Sequence, residues 1–160
     1  GNLRDATLAF MILFMFIGGA SGSTAGGIKV NSLAAMSAFF MSFIRQEKSA
    51  RIGQYAIANE KVGRAFLILI FGLLAVFIGT FILSITEDAP FLNLLFESTS
   101  AFGTVGLSTG ITPDLSSIGK AAIIILMFLG RLGPLTILTA ASRKTPQGQV
   151  EYPQGDLAIG

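Results

Sequence analysis

FLNLLFESTSAF, Phe91 to Phe102, runs directly into GTVGLSTG, Gly103 to Gly110, and these two stretches decide the fold. The first predicts a helix of about 18 Å at 1.5 Å per residue, too short to cross roughly 30 Å of hydrocarbon. The second is too rich in glycine to continue that helix and reads as extended chain. Outward on the N-terminal side, Ala65 to Thr86 carries no charge and is long enough to span. On the C-terminal side, Ile118 to Ser142 is another long apolar run, closed by Arg143 and Lys144. Glu87, Asp88 and Pro90 mark an acidic turn and a helix start with proline near its first position.

Composition points the same way. The chain is 52% hydrophobic and 12% charged, whereas soluble domains carry about a quarter of their residues charged, and the mean hydropathy is +0.72. With no cysteine and no histidine, disulfides, thiolate metal sites and the commonest general base are excluded. No aspartate lies within an apolar span either, which argues against an intramembrane protease and against an enzyme generally. The pI near 9.2 does not imply nucleic acid, because the basic residues are not interleaved with aromatic or polar ones. They follow membrane topology instead. Residues 45–64 hold Arg45, Lys48, Arg51, Lys61 and Arg64 against Glu47 and Glu60, so this linker is expected to be cytoplasmic. Because the chain starts at Gly1 with no signal-peptide pattern, it reads as a piece of a longer protein.

These segments predict an all-α, multi-pass membrane protein. Residues 65–142 form one helix, pore loop, helix repeat of a potassium-channel-like fold, preceded by a glycine-interrupted membrane helix in residues 1–44. A selectivity filter replaces the water around an ion with backbone carbonyls, and so needs extended chain whose carbonyls face one axis. Thr104, Val105 and Gly106, continued by Leu107, suit that need. The short helix would aim its negative C-terminal end, near Ala101 and Phe102, at a dehydrated cation. Glu97 on that helix is expected to brace the loop by hydrogen bonding and not to ligate the ion.

The other interruption is GGASGSTAGG, Gly18 to Gly27, with five glycines in ten residues; regular helix is not expected there. Irregular backbone at membrane depth is tolerated only when buried in protein or lining a cavity. A phosphate loop is a poor match, since Ile28 separates the last glycine from Lys29 and no strand precedes. Close helix packing through Gly18, Gly22 and Gly26 stays open as an alternative. Arg131 has ten uncharged residues before it and eleven after, a mid-helix charge that ordinarily faces a cavity or a partner. Gly130, Gly133 and Pro134 are expected to bend the helix there. Residues 143–160 read as a polar tail without regular structure.

Three motifs in order carry a resemblance over essentially the whole chain: GGASGSTAGGIK (Gly18 to Lys29), FGTVGLS (Phe102 to Ser108) and GRLGPLT (Gly130 to Thr136). The sequence resembles the Trk/Ktr/HKT superfamily of potassium and sodium transporters, specifically the C-terminal part of a bacterial Ktr/Trk membrane subunit. That resemblance implies four repeats around one pathway, with this chain supplying the second helix of repeat three and all of repeat four. It implies that Gly18, Gly19, Gly22, Ser23, Thr24, Gly26, Gly27 and Lys29 belong to an intramembrane gating loop below the filter. Arg131 would lie beside that loop and hinder resting cation flow. It further implies potassium uptake at the bacterial inner membrane, with potassium held at Thr104, Val105 and Gly106, the C-terminus cytoplasmic and no cofactor beyond the transported ion. The implied partners are membrane lipid, the remaining repeats, a second copy in a homodimer, and cytosolic nucleotide-binding ring subunits. A sodium-permeable member of the family and a non-conducting membrane scaffold are the alternatives.

Overall fold

The computed structural model describes residues 3–20, 22–47 and 49–133. Five α-helices and a small hairpin follow in the order α1 (Asp5–Phe16), α2 (Val30–Ile44), β1 (Arg51–Ile52), β2 (Tyr55–Ala56), α3 (Asn59–Thr86), α4 (Phe91–Gly103) and α5 (Ser117–Leu132). A 3-10 turn, Thr112–Asp114, precedes α5. Among the described residues, α3 is the one helix long and apolar enough to cross a membrane, at 28 residues. It starts at Asn59 and so takes in Lys61 and Arg64 of the basic linker. The rest of that linker holds β1 and β2, which pair antiparallel with Arg51 opposite Ala56.

The short helix is the centre of the structure. From Phe96 to Gly103 every residue of α4 is buried, enclosed by α1, α3 and α5. Near its start, Leu94 packs with Leu83 of α3 and Leu115, which precedes α5. Two residues further, on the other side of the helix, Phe96 packs with Leu8 and Met15 of α1. At its end, the fully buried Phe102 ring lies 6.0 Å from the Phe16 ring. Gly72 of α3 lets it in: a Cβ there would stand 3.1 Å from Phe102 Cζ. The outward faces are apolar as well, with Phe77 of α3 67% and Phe128 of α5 62% exposed. A soluble monomer rarely exposes so much contiguous apolar surface.

Between α1 and α2 the chain leaves its line and comes back. Gly18 N donates to the Ile28 carbonyl at 2.7 Å and Ile28 N to the Phe16 carbonyl at 3.2 Å, so Ile17 and Ile28 form a parallel bridge. Residues between them make a loop with closed ends, and α2 begins just beyond that closure. A side chain at Gly18 would run into the Gly26 carbonyl, which explains why the closure needs glycine.

The last helix breaks where Gly130, Gly133 and Pro134 were expected to bend it: α5 ends at Leu132, with Gly133 at φ 77°. Residues 134–142 of the expected apolar run lie outside the described residues. Positive φ is open to glycine, and a residue before proline is disfavoured in helical conformation, which accounts for the end of α5 at this Gly-Pro pair. Arg131 therefore occupies the last turn, where a cation complements the negative end of the helix. The tail at 143–160 lies outside the described residues.

Candidate functional site

The site begins where α4 ends. Thr104 N donates to the Ala101 carbonyl (3.1 Å) and Val105 N to the Ser100 carbonyl (3.0 Å), the paired closure of a Schellman motif. That motif puts one residue in the left-handed region, usually glycine; here it is Thr104, at φ 51° and ψ 39°. A β-branched residue there is strained by about 1–3 kcal/mol and persists only where surrounding contacts over-determine it. Beyond it φ alternates in sign, positive at Thr104 and at Gly106 (83°) and not at Val105 or Leu107. A regular strand sends successive carbonyls to opposite sides; alternating handedness brings like groups to one side.

Glu97 holds this segment against α4. Its Oε1 accepts from Ser108 Oγ (2.6 Å), Thr109 N (2.8 Å) and Thr109 Oγ1 (3.2 Å), and its Oε2 accepts from Thr112 Oγ1 (2.8 Å). Ser100 Oγ adds a bond to the Leu107 carbonyl at 2.6 Å, leaving that carbonyl less free than those before it. The bracing expected of Glu97 is thus what its contacts provide.

The glycine-rich loop meets the same place beyond the end of α4. Gly26 N donates to Thr104 Oγ1 at 2.8 Å, so the strained threonine is gripped by its hydroxyl. Arg131 Nη1 donates to the Thr24 carbonyl at 2.5 Å. Lys29 Nζ donates to the carbonyls of Ala25 (2.5 Å) and Ser23 (3.2 Å). Gly130, beside Arg131, lies directly on the Phe102 carbonyl, where a Cβ would overlap the α4 backbone. A cavity of about 430 Å³ opens between loop and extended segment, lined in part by Met15, Gly19, Ala25, Gly103, Thr104 and Val105.

The family model described as "Cation transport protein" (TrkH) matches residues 1–152. The chain belongs to the TrkH family of cation transport proteins. It is 42% identical to "Ktr system potassium uptake protein B" of Bacillus subtilis, over 100% of this chain and 36% of that protein. It is 40% identical to "Ktr system potassium uptake protein D" of the same organism, over 99% of this chain and 35% of that one. It is also 37% identical to "Potassium/sodium uptake protein NtpJ" of Enterococcus hirae, over 99% and 37%. The chain spans about a third of the length of the curated relatives it matches. As a TrkH-family chain it is a membrane protein of a transporter family.

Of the residues singled out in this TrkH-family chain, Thr104, Gly26, Thr24, Ser23, Lys29 and Arg131 meet through the hydrogen bonds above. Gly22 stands apart at φ 92°, with open space on the side where a Cβ would project. Gly130 acts by close packing, a role its expected part in bending the helix did not anticipate. Ser100, Ser108, Thr109 and Thr112 were not foreseen as site residues. The last three matter because Glu97 is buried among them, and Ser100 because it holds the Leu107 carbonyl; a run of small polar residues beside a lone membrane carboxyl is the one signal that pointed there.

A second carboxyl fastens the opposite end of α5. Glu87 accepts from Ser116 Oγ (2.5 Å), Ser116 N (3.0 Å) and Thr86 Oγ1 (2.9 Å), and Ser116 in turn caps α5 through Gly119 N. The bonds from the Ser116 side chain and backbone hold the Glu87 carboxyl below its ordinary range. A depressed carboxyl pKa contributes stability that is present above the unfolded value and lost as pH falls through the folded one. Acidification through that window is expected to lower the thermal midpoint of the full-length protein more than that of Glu87→Gln. Parallel midpoint-against-pH curves for the two would refute this.

Proposed function

We propose that this chain is part of a potassium-uptake pathway in which residues 104–107 form one quarter of a selectivity filter and residues 18–29 form a gate beneath it. The observation that carries the reading is the bond from Gly26 N to Thr104 Oγ1: the interrupted helix is tied to the first residue of the extended segment. Alternating φ at 104–107 favours carbonyls on one side, and the α4 C-terminus turns its negative end toward the same point. Arg131 then latches the loop through Thr24, adding a fixed positive charge in the path of a cation. Ion pathways are built from such close-quarter dipoles and charges.

The names of the relatives support potassium as the transported ion, and that of the Enterococcus hirae protein keeps sodium in view. On this reading residues 1–44 complete repeat three, 45–64 are a cytoplasmic linker and 65–142 are repeat four. The C-terminus is cytoplasmic, a second copy pairs with the first, and regulatory ring subunits dock on the cytoplasmic face. The other three quarters of the filter come from the remaining repeats.

The test is rubidium uptake into liposomes carrying the full-length protein, with sodium as competitor, for wild type and Arg131→Ala. Uptake that resists sodium is expected in both. A hydrogen bond to a charged group contributes about 1.5 kcal/mol or more, so losing the latch should raise resting uptake on the order of tenfold. Uptake abolished equally by sodium would move the assignment to a sodium-permeable pathway. No uptake from folded protein would leave a scaffold.

A further inference from the structure

We propose that the carbonyls of Ser23 and Ala25 form a monovalent-cation site separate from the filter, which the protein's own Lys29 ammonium fills in this conformation. The inference rests on the reading of this junction as part of the cation pathway and adds a ligand that competes with the gate.

Three helices end at the junction. α1 stops at Phe16, α4 at Gly103 and α5 at Leu132. The Phe16 carbonyl meets the loop through Ile28 N, Gly103 Cα would be 3.5 Å from a Cβ at Gly27, and the Phe102 carbonyl 2.8 Å from one at Gly26. Helix C-termini carry partial negative charge, and three of them around one loop make a setting that attracts cations. The loop then presents three consecutive carbonyls, all engaged by cationic side chains: Ser23 and Ala25 by Lys29, Thr24 by Arg131.

Lys29 is the residue out of place. It is the N-cap of α2, where the helix end is positive and a cation is unfavourable. Among the described residues its ammonium has no carboxylate partner; the ion pairs there join Arg51 to Glu47 and Arg64 to Glu60. A positive charge held at a positive helix end by carbonyl oxygens alone marks those oxygens as a cation site. Ammonium and potassium ions are similar in size and both are satisfied by carbonyl oxygens, so a tethered ammonium stands where a free potassium or rubidium ion would sit. An ion arriving there displaces Lys29 and loosens one of the two cationic ties on the loop.

The test is anomalous diffraction from crystals of the full-length protein equilibrated with rubidium: wild type, Lys29→Met, Lys29→Gln and Lys29→Arg. Expected is a rubidium peak against the Ser23 and Ala25 carbonyls in the Met and Gln variants, comparable in height to any filter peak, and none in wild type or the Arg variant. Two neutral variants guard against one that does not fold. Rubidium in the filter but not at the loop of either neutral variant would overturn the site and leave the filter reading intact. Rubidium at the loop but not the filter would support the site and count against the filter. Rubidium at neither would overturn both.

Discussion

Glu97→Ala is expected to cost the full-length protein about 3 kcal/mol of stability and most of its discrimination between rubidium and sodium. Glu97 is 5% exposed, and its carboxylate accepts four hydrogen bonds from Ser108, Thr109 and Thr112. A typical hydrogen bond contributes about 1 kcal/mol net, but a donor left buried without a partner costs about 1–3 kcal/mol. Ser108 is exposed and can turn to water, whereas the Thr109 amide and the Thr112 hydroxyl are half-buried; the sum is therefore less than four full penalties. The larger effect is positional. Without Glu97 the extended segment keeps only the Ser100 bond to Leu107 and the Schellman closure at Thr104 to hold it on α4. Carbonyls free to move by about an ångström no longer distinguish ions by spacing or number. Glu97→Gln should restore most of both properties, since one amide oxygen still accepts from Thr109 N and the hydroxyls can rotate to accept from its NH2. Thermal midpoints and the rubidium-to-sodium uptake ratio measure the two effects. An alanine variant with wild-type ion ratio would separate the brace from selectivity.

Gly130→Ala should be as damaging through packing alone. A Cβ at that position overlaps the carbonyl of Phe102 and lies 3.1 Å from its Cα. Overpacking a core costs about 1–3 kcal/mol when side chains can adjust. Here the obstacle is backbone, and α4 has nowhere to retreat, because the Phe102 ring already presses on Gly72 and Phe16 behind it. A loss of about 3 kcal/mol or more is expected, together with a shift of Arg131 away from Thr24. Gly63→Ala is the control: it lies in α3, with open space where its Cβ would project. It should be neutral or stabilising by about 0.5–1 kcal/mol from helix propensity. Equal midpoints for the two variants would disprove the packing argument.

Much of the architecture was legible in sequence because it depends on neighbours along the chain. Hydropathy marked α3, the short apolar helix at Phe91 was placed to within a residue, and five glycines in ten announced the break after α1. Glu97 was recognisable as a brace since a lone carboxyl on a short apolar helix must find donors nearby. The break at the end of α5 was legible too, since Gly133 and Pro134 marked it as a place where the helix would bend.

What joins the site lay beyond such patterns. Gly26 and Thr104 are 78 residues apart, and Thr24 and Arg131 are 107 apart. These bonds exist only because α1, α4 and α5 converge on one loop. Hydropathy and glycine content established which stretches are helical and which are not, since both act through adjacent residues. The left-handed Thr104, the grip of Gly26 on its hydroxyl and the tie of Arg131 to the Thr24 carbonyl were decided by packing. Each requires a strained or charged group to be held by partners that only the tertiary structure brings within hydrogen-bonding distance.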